Sequence, residues 1–155
     1  MAPTDAIVLR DASPADAAAI SALVSALTQR WIAPDCDEDG IASLLALMTP
    51  EQVRRRIDEG HRNVVAECDG RIVGVAVLRL PSHLYHLFVA DDMQRRGLAR
   101  ALCNAVTAAA DPAVPITVNA ARHAQETYRR LGFEATGPEL HESGLRFVPM
   151  QWTRR

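Results

Sequence analysis

The chain has 155 residues, 48% apolar and 23% charged, with a net charge of −2. That length suits one domain with a single core and excludes two, and the composition excludes intrinsic disorder. The near-neutral charge gives no overall electrostatic footprint for nucleic acid or an anionic membrane, so neither is an expected partner. All 17 basic residues are arginine, which leaves no lysine side chain to be modified.

Met1-Ala2-Pro3-Thr4-Asp5 lacks the cationic and apolar stretches of a signal peptide, and no apolar run approaches the roughly 20 residues that span a bilayer. A soluble, cytoplasmic protein is the expectation. Cys36, Cys68 and Cys103 are odd in number and widely spaced. They support neither a disulfide framework nor a metal site.

Ile7 to Arg10 reads as a strand. Ser13-Pro14-Ala15-Asp16 then starts a helix with an N-cap serine, an early proline and an acid at the third position, and Ile20, Leu23, Val24 and Leu27 form its apolar stripe. Trp31 to Gly40 is aperiodic, holds Asp35, Asp37, Glu38 and Asp39, and reads as a loop. One further helical region runs from near Ile41, through the capping signal Thr49-Pro50-Glu51-Gln52, to Gly60. Asp69-Gly70 sits between two apolar runs and predicts a tight hairpin, with Glu67 and Arg71 as facing surface charges.

A third strand, His83 to Val89, leads into Gln94-Arg95-Arg96-Gly97-Leu98-Ala99 and a helix carrying Leu98, Leu102 and Val106 at four-residue spacing. Ile116 to Asn119 forms another strand. A short helix with Ala124, Tyr128 and Leu131 stops at Gly132, and the tail from Phe133 to Trp152 reads as a last hairpin around a polar loop. The predicted order is β-α-α-β-β-β-α-β-α-β-β, an α/β domain with a mixed sheet. His141-Glu142 has too little context for a zinc motif.

The strand-loop-helix around Gly97 is the most informative segment, and its residues by themselves fit either a phosphate cradle or ordinary turn chemistry with solvated arginines. A helix N-terminus leaves unpaired N–H groups and a partial positive charge. Gly97 and the small Ala99 let a phosphate approach the backbone, and Arg95, Arg96 and Arg100 add positive charge.

Gln94-Arg95-Arg96-Gly97-Leu98-Ala99 fits the Gln/Arg-x-x-Gly-x-Gly/Ala phosphate loop of the GNAT family of acyl-CoA-dependent N-acyltransferases. Asn119-Ala120, followed by Ala124, Tyr128, Gly132 and Phe133, is similar to that family's downstream segment. The chain resembles the family from Ile7 to Thr153.

The resemblance implies a mostly antiparallel sheet splayed between its fourth and fifth strands. It implies acetyl-CoA as acyl donor, with its pyrophosphate on the N–H groups of Gln94, Arg95, Arg96, Gly97, Leu98 and Ala99 and its pantetheine arm beside Leu87, Phe88 and Val89. No metal and no covalent enzyme intermediate are implied. A backbone N–H near Phe88 or Val89 receives the oxyanion, and the Tyr128 hydroxyl meets the CoA sulfur. His83 stands where many relatives carry the base, with His86 as the weaker candidate; the alternatives are that His83 only caps the strand after Pro81 and that His86 is a core histidine. Strict alternation puts His83 with Tyr85 and Leu87, and His86 with Leu84 and Phe88. Asn119 either contacts the cofactor or fixes a turn, and Ala121 departs from an asparagine found in many relatives.

The expected reaction is direct acetyl transfer, in a ternary complex, to a primary amine of a small molecule or peptide. A non-catalytic acyl-CoA-binding sensor or scaffold is the alternative, and a homodimer is left open. Two readings of the loop from Trp31 to Asp39 stand side by side: a cationic acceptor steered by its carboxylates, or a solvated acidic surface. A nucleotide-binding protein of the Gly-x-x-x-x-Gly-Lys-Ser/Thr type is excluded, because the loop lacks that spacing.

Overall fold

The structure, a computed structural model, describes residues 6–154. Strand β1 (Ile7–Asp11) leads to the turn in which Asp16 accepts a hydrogen bond from the Ser13 N–H at 2.8 Å, and helix α1 (Ala17–Leu27) follows. A wider π turn (Thr28–Ile32) and a 3-10 turn (Ala33–Asp35) carry the chain to α2 (Glu38–Ala46). Then come α3 (Pro50–Asp58), β2 (Arg62–Cys68), β3 (Arg71–Arg79) and β4 (His83–Val89). The second half is α4 (Leu98–Thr107), β5 (Ile116–Ala121), α5 (Gln125–Leu131), β6 (Glu134–Ala135), β7 (Leu140–Glu142) and β8 (Leu145–Trp152).

The strands form one sheet in the order β1-β2-β3-β4-β5-β8-β6, with β7 also paired to β8. Among the described strands only β4 and β5 run parallel. On one face, Leu98, Leu102 and Val106 of α4 pack with Val64, Ala66, Ala76 and Leu78. On the other, Ala17, Ile20 and Val24 of α1 and Val53 of α3 cover Val65, Val75 and Val77. The period-two alternation of β2 and β3 supplies both cores from one pair of strands. A Cβ on Gly74 would lie 2.8 Å from Leu102 Cδ1, so this glycine sets how closely α4 approaches β3.

Several local expectations change. α2 begins at Glu38 rather than near Ile41, with Asp37 as N-cap, so Glu38 and Asp39 form its first turn, where the helix dipole favours acids. A break at Thr49 splits the single helical region in two, because the Thr49 side chain accepts from the Gln52 N–H at 3.3 Å and Pro50 opens α3. β7 adds a strand to the tail. Its turn, Ser143-Gly144, has φ of 51° and 78°, the same left-handed pair as Asp69-Gly70 at 52° and 75°, and the Ser-Gly pair was its local signal. Glu67 faces Ile72 across a β-bulge, not Arg71, and pairs at 3.0 Å with Arg10 of β1.

Candidate active site

β4 and β5 pair only at His83 with Thr117 and Leu84 with Val118. Beyond that point β4 stays on β3 as far as Val89 while β5 stays on β8 as far as Ala121. The β5-facing edge of β4 from Tyr85 to Val89 is therefore without a partner strand. Open strand edges of this kind accept an extended ligand bearing amides.

A bulge shapes the same strand. Val77 pairs with His86 and Leu78 with Leu84, which leaves Tyr85 as the extra residue. The bulge interrupts strict alternation. Leu84, Leu87 and Val89 pack on the α4 side, while Tyr85 and Phe88 join the α1 side. The expected grouping of Tyr85 with Leu87 is thereby corrected, and His86 lies against both Tyr85 and Phe88, with ring centroids 4.4 and 5.3 Å away.

At the far end of β4, Gln94 Nε2 donates to the Val89 carbonyl at 3.2 Å. Gly97 is the N-cap of α4 at φ 76°, and a Cβ there would meet nothing within 4 Å. The first backbone bond of α4 runs from the Ala101 N–H to the Gly97 carbonyl. The N–H groups of Leu98, Ala99 and Arg100 thus precede the intrahelical ladder. Arg95 also adopts left-handed φ, at 65°, a strained state for a side chain with a Cβ and one that clusters at ligand clamps. Arg95 and Arg96 are exposed, but Arg100 donates to the Arg130 carbonyl at 2.6 Å and so braces the end of α5. The open space over Gly97 and the free helix N-terminus fit a pyrophosphate, and the open edge of β4 fits a pantetheine arm.

A cavity of about 280 Å³ lies in the fork of the sheet. His83, His86, Leu87, Phe88, Asn119 and Tyr128 line it together; Val89 and the residues from Gln94 to Ala99 do not, lying beyond its end. The Asn119 side chain is exposed and makes no hydrogen bond within the protein among the described residues.

The His83 Nδ1 lies 2.8 Å from Thr117 Oγ1. Burial, then the nearby Arg79, lowers its pKa below the ordinary histidine value. His86 is buried, its Nε2 has no hydrogen-bond partner among the described residues, and burial followed by the field of Arg56 pulls its pKa down to about 3. It is neutral across the physiological range. The Tyr128 phenol is buried against Phe133, and burial raises its pKa, with Cys103 adding to the effect. That phenol stays protonated and available as a donor.

None of the acidic residues from Asp35 to Asp39 lines the cavity. Asp35 lies 3.9 Å from Arg122 and Asp37 3.3 Å from His141. Trp31 points its Nε1 at Asp91, 2.8 Å away, and stacks on His123, which lines the cavity. Sequence reasoning did not single out Thr117, Arg79 or Arg56. The first two follow from strand register, while Arg56 has no local signal because the ring it lies on, Tyr85, and the second cation on that ring, Arg79, come from β4 and β3.

A family model described as an acetyltransferase (GNAT) domain matches residues 32–154. Among solved structures, a GCN5-related N-acetyltransferase from Rhodopseudomonas palustris, also described as a class II aminotransferase, shares 26% identity, with 94% of each chain covered and a TM-score of 0.78. The PaiA N-acetyltransferase from Thermoplasma acidophilum, in complex with coenzyme A, shares 14% identity over 96% of this chain and 99% of its own, at a TM-score of 0.73. YncA from Salmonella typhimurium, with acetyl-CoA, shares 19% over 97% of this chain and 95% of its own, at 0.66. The latter two show likeness of fold alone. No curated protein sequence matches. A family model spanning most of the chain, over a sheet that forks beside a free helix N-terminus, shows that the chain belongs to the GNAT family of acetyltransferases and that its enzyme class is acyl transfer.

Proposed function

We propose that the chain acts as one N-acetyltransferase domain, moving an acetyl group from acetyl-CoA to a primary amine of a small molecule or peptide by direct attack in a ternary complex. The observation that carries this reading is the loss of β4–β5 pairing beyond Leu84 and Val118, beside a cavity that collects His83 and Tyr128. The described residues include no group of three or more His, Cys, Asp or Glu poised for a metal, and no helix among them is long and apolar enough to cross a membrane.

Acetyl-CoA supplies an activated thioester. The N–H groups of Leu98, Ala99 and Arg100 hold the pyrophosphate, with Arg95 and Arg96 adding charge and Gly97 leaving room. The open edge of Leu87, Phe88 and Val89 pairs with the pantetheine amides, Asn119 faces them from β5, and a backbone N–H at Phe88 or Val89 takes the charge that develops on the carbonyl oxygen. His83 accepts the amine proton at Nε2 when its Nδ1–H is donated to Thr117 Oγ1. Tyr128 gives its phenolic proton to the departing sulfur as the C–N bond forms and the C–S bond breaks.

A thiol-release assay with acetyl-CoA and a panel of amines, amino acids and peptides tests this. Release that depends on both an amine and Tyr128 supports it. Tight CoA binding without release for any amine would leave a non-catalytic acyl-CoA-binding module.

A further inference from the structure

The half of the cavity away from the CoA loop has a one-sided charge. No Asp or Glu lines any part of it, and Arg79 and Arg146 do. Arg146 is partly matched by Glu139, 4.0 Å away, but Arg79 has no ion pair among the described residues. Its guanidinium lies 5.3 Å from the centroid of the Tyr85 ring, and that of Arg56 lies 5.0 Å from the same centroid. Arg56 is only 9% exposed, and its Nη2 is buried without a hydrogen-bond partner among the described residues. Two guanidinium groups therefore share one aromatic ring, with no carboxylate among the described residues within ion-pair distance of either.

An unpaired buried cation is costly, and a second one beside it adds repulsion. Burial is the main cause that lowers the pKa of Arg56, His83 and His86; Arg79 adds to it at Arg56 and His83 and Arg56 adds to it at His86, while Tyr85 and Glu59 act the other way on Arg56. An anion seated at this end of the cavity offsets the charge of Arg79 and the field of Arg56 behind it. The CoA phosphates are not that anion. Arg79 pairs with His83 at the start of β4, and seven strand residues place the pyrophosphate loop about 20 Å away.

Resting on the acetyltransferase reading above, we infer that the acceptor amine carries an anionic group, carboxylate or phosphate, and that Arg79 with Arg56 forms the subsite that holds it. The small cavity favours a compact acceptor of amino-acid size over a long peptide. Arg79, exposed at the mouth, makes the direct contact, and the buried Arg56 fixes the positive field behind it. Of the two readings of the loop from Trp31 to Asp39 this favours the acidic surface over a steered cationic acceptor: Asp35 lies beside Arg122, Asp37 beside His141, and Glu38 and Asp39 stand in the first turn of α2.

The test compares four acceptors of matched length: an amino-carboxylate, its carboxamide, an aminoalkyl phosphate and a diamine. Thiol release and calorimetric binding are measured for wild type, Arg79→Gln and Arg56→Met. Wild type is expected to prefer an anionic acceptor, and the ratio of carboxylate to phosphate turnover identifies which one. Arg79→Gln should raise the KM for the anionic acceptor roughly 10- to 100-fold, as loss of a charge-assisted bond predicts, while leaving the KM for the carboxamide within about 2-fold. Preference for the carboxamide or diamine, or an equal rise in KM for charged and neutral acceptors, overturns the anion subsite and leaves acetyl transfer standing. Arg79-dependent binding of the amino-carboxylate without thiol release from any acceptor keeps the subsite and overturns acetyl transfer. Arg79 is a surface residue, so its variant reports even where Arg56→Met fails to fold.

Discussion

Gly40 of α2 and Gly144 of the β7–β8 turn meet backbone to backbone. A Cβ on Gly144 would lie 2.8 Å from Gly40 N and Cα, and the Asp37 N–H donates to the Gly144 carbonyl at 2.8 Å. This contact joins the segment carrying Leu44 to the strand carrying Leu145 and Phe147, all of which line the cavity. Neither backbone can yield to a side chain, so Gly40→Ala is expected to cost about 1–3 kcal/mol. It should also raise the acceptor KM while leaving CoA affinity unchanged, as denaturant unfolding and steady-state kinetics will show.

Tyr128→Phe separates chemistry from packing. The hydroxyl makes no hydrogen bond within the protein among the described residues, so its removal should leave stability within about 0.5 kcal/mol. Turnover should fall on the order of 100-fold or more if the phenol is the acid, with the Kd for CoA nearly constant. Unchanged kcat removes that role.

His83 gives a pH signature. A lowered pKa keeps the imidazole neutral, and able to accept a proton, to lower pH than an ordinary histidine near 6.5. The acid limb of kcat at saturating acceptor should therefore lie below that value. In His83→Gln the limb should vanish together with most of the rate, whereas Thr117→Val should move the limb and keep it, because it alters the partner at Nδ1.

Gly97→Val should abolish CoA binding without affecting the empty cavity. The position combines φ of 76° with open space where a phosphate would rest, so a branched side chain both strains the loop and fills the cradle. Calorimetric titration with CoA reads this directly, and CoA affinity retained at wild-type strength would move the pyrophosphate elsewhere.

Arg10 predicts an acid transition. It holds both Asp16 oxygens, at 2.8 and 2.9 Å, and pulls the carboxyl pKa from 3.8 to about 2. A depressed carboxylate contributes its full stability above the unfolded value near 4 and loses it as pH falls through about 2. With Arg10 34% exposed, screening leaves the contribution on the order of 1–2 kcal/mol. Urea unfolding between pH 5 and pH 2 should show this loss in wild type and a flatter profile in Asp16→Asn.

Local sequence determined what depends on a few consecutive residues. The Asp69-Gly70 turn, the cap at Ser13 and Asp16, the end of α5 at Gly132 and the loop from Gln94 to Ala99 are set by φ preferences and by N–H groups within one turn of chain. The motifs around Gly97 and Tyr128, read with the order of elements, pointed to the family. Tertiary structure decided the rest. The Tyr85 bulge depends on how β3 and β4 align, and it fixes which side chains face each side of the sheet. The fate of the acids from Asp35 to Asp39 was invisible in sequence because their partners, Arg122 and His141, lie about a hundred residues downstream. The charge of the cavity was equally hidden. It is set by Arg56 of α3 and Arg79 of β3, which reach one ring of β4 only after the sheet has closed, and electrostatic fields follow distance in space rather than distance along the chain.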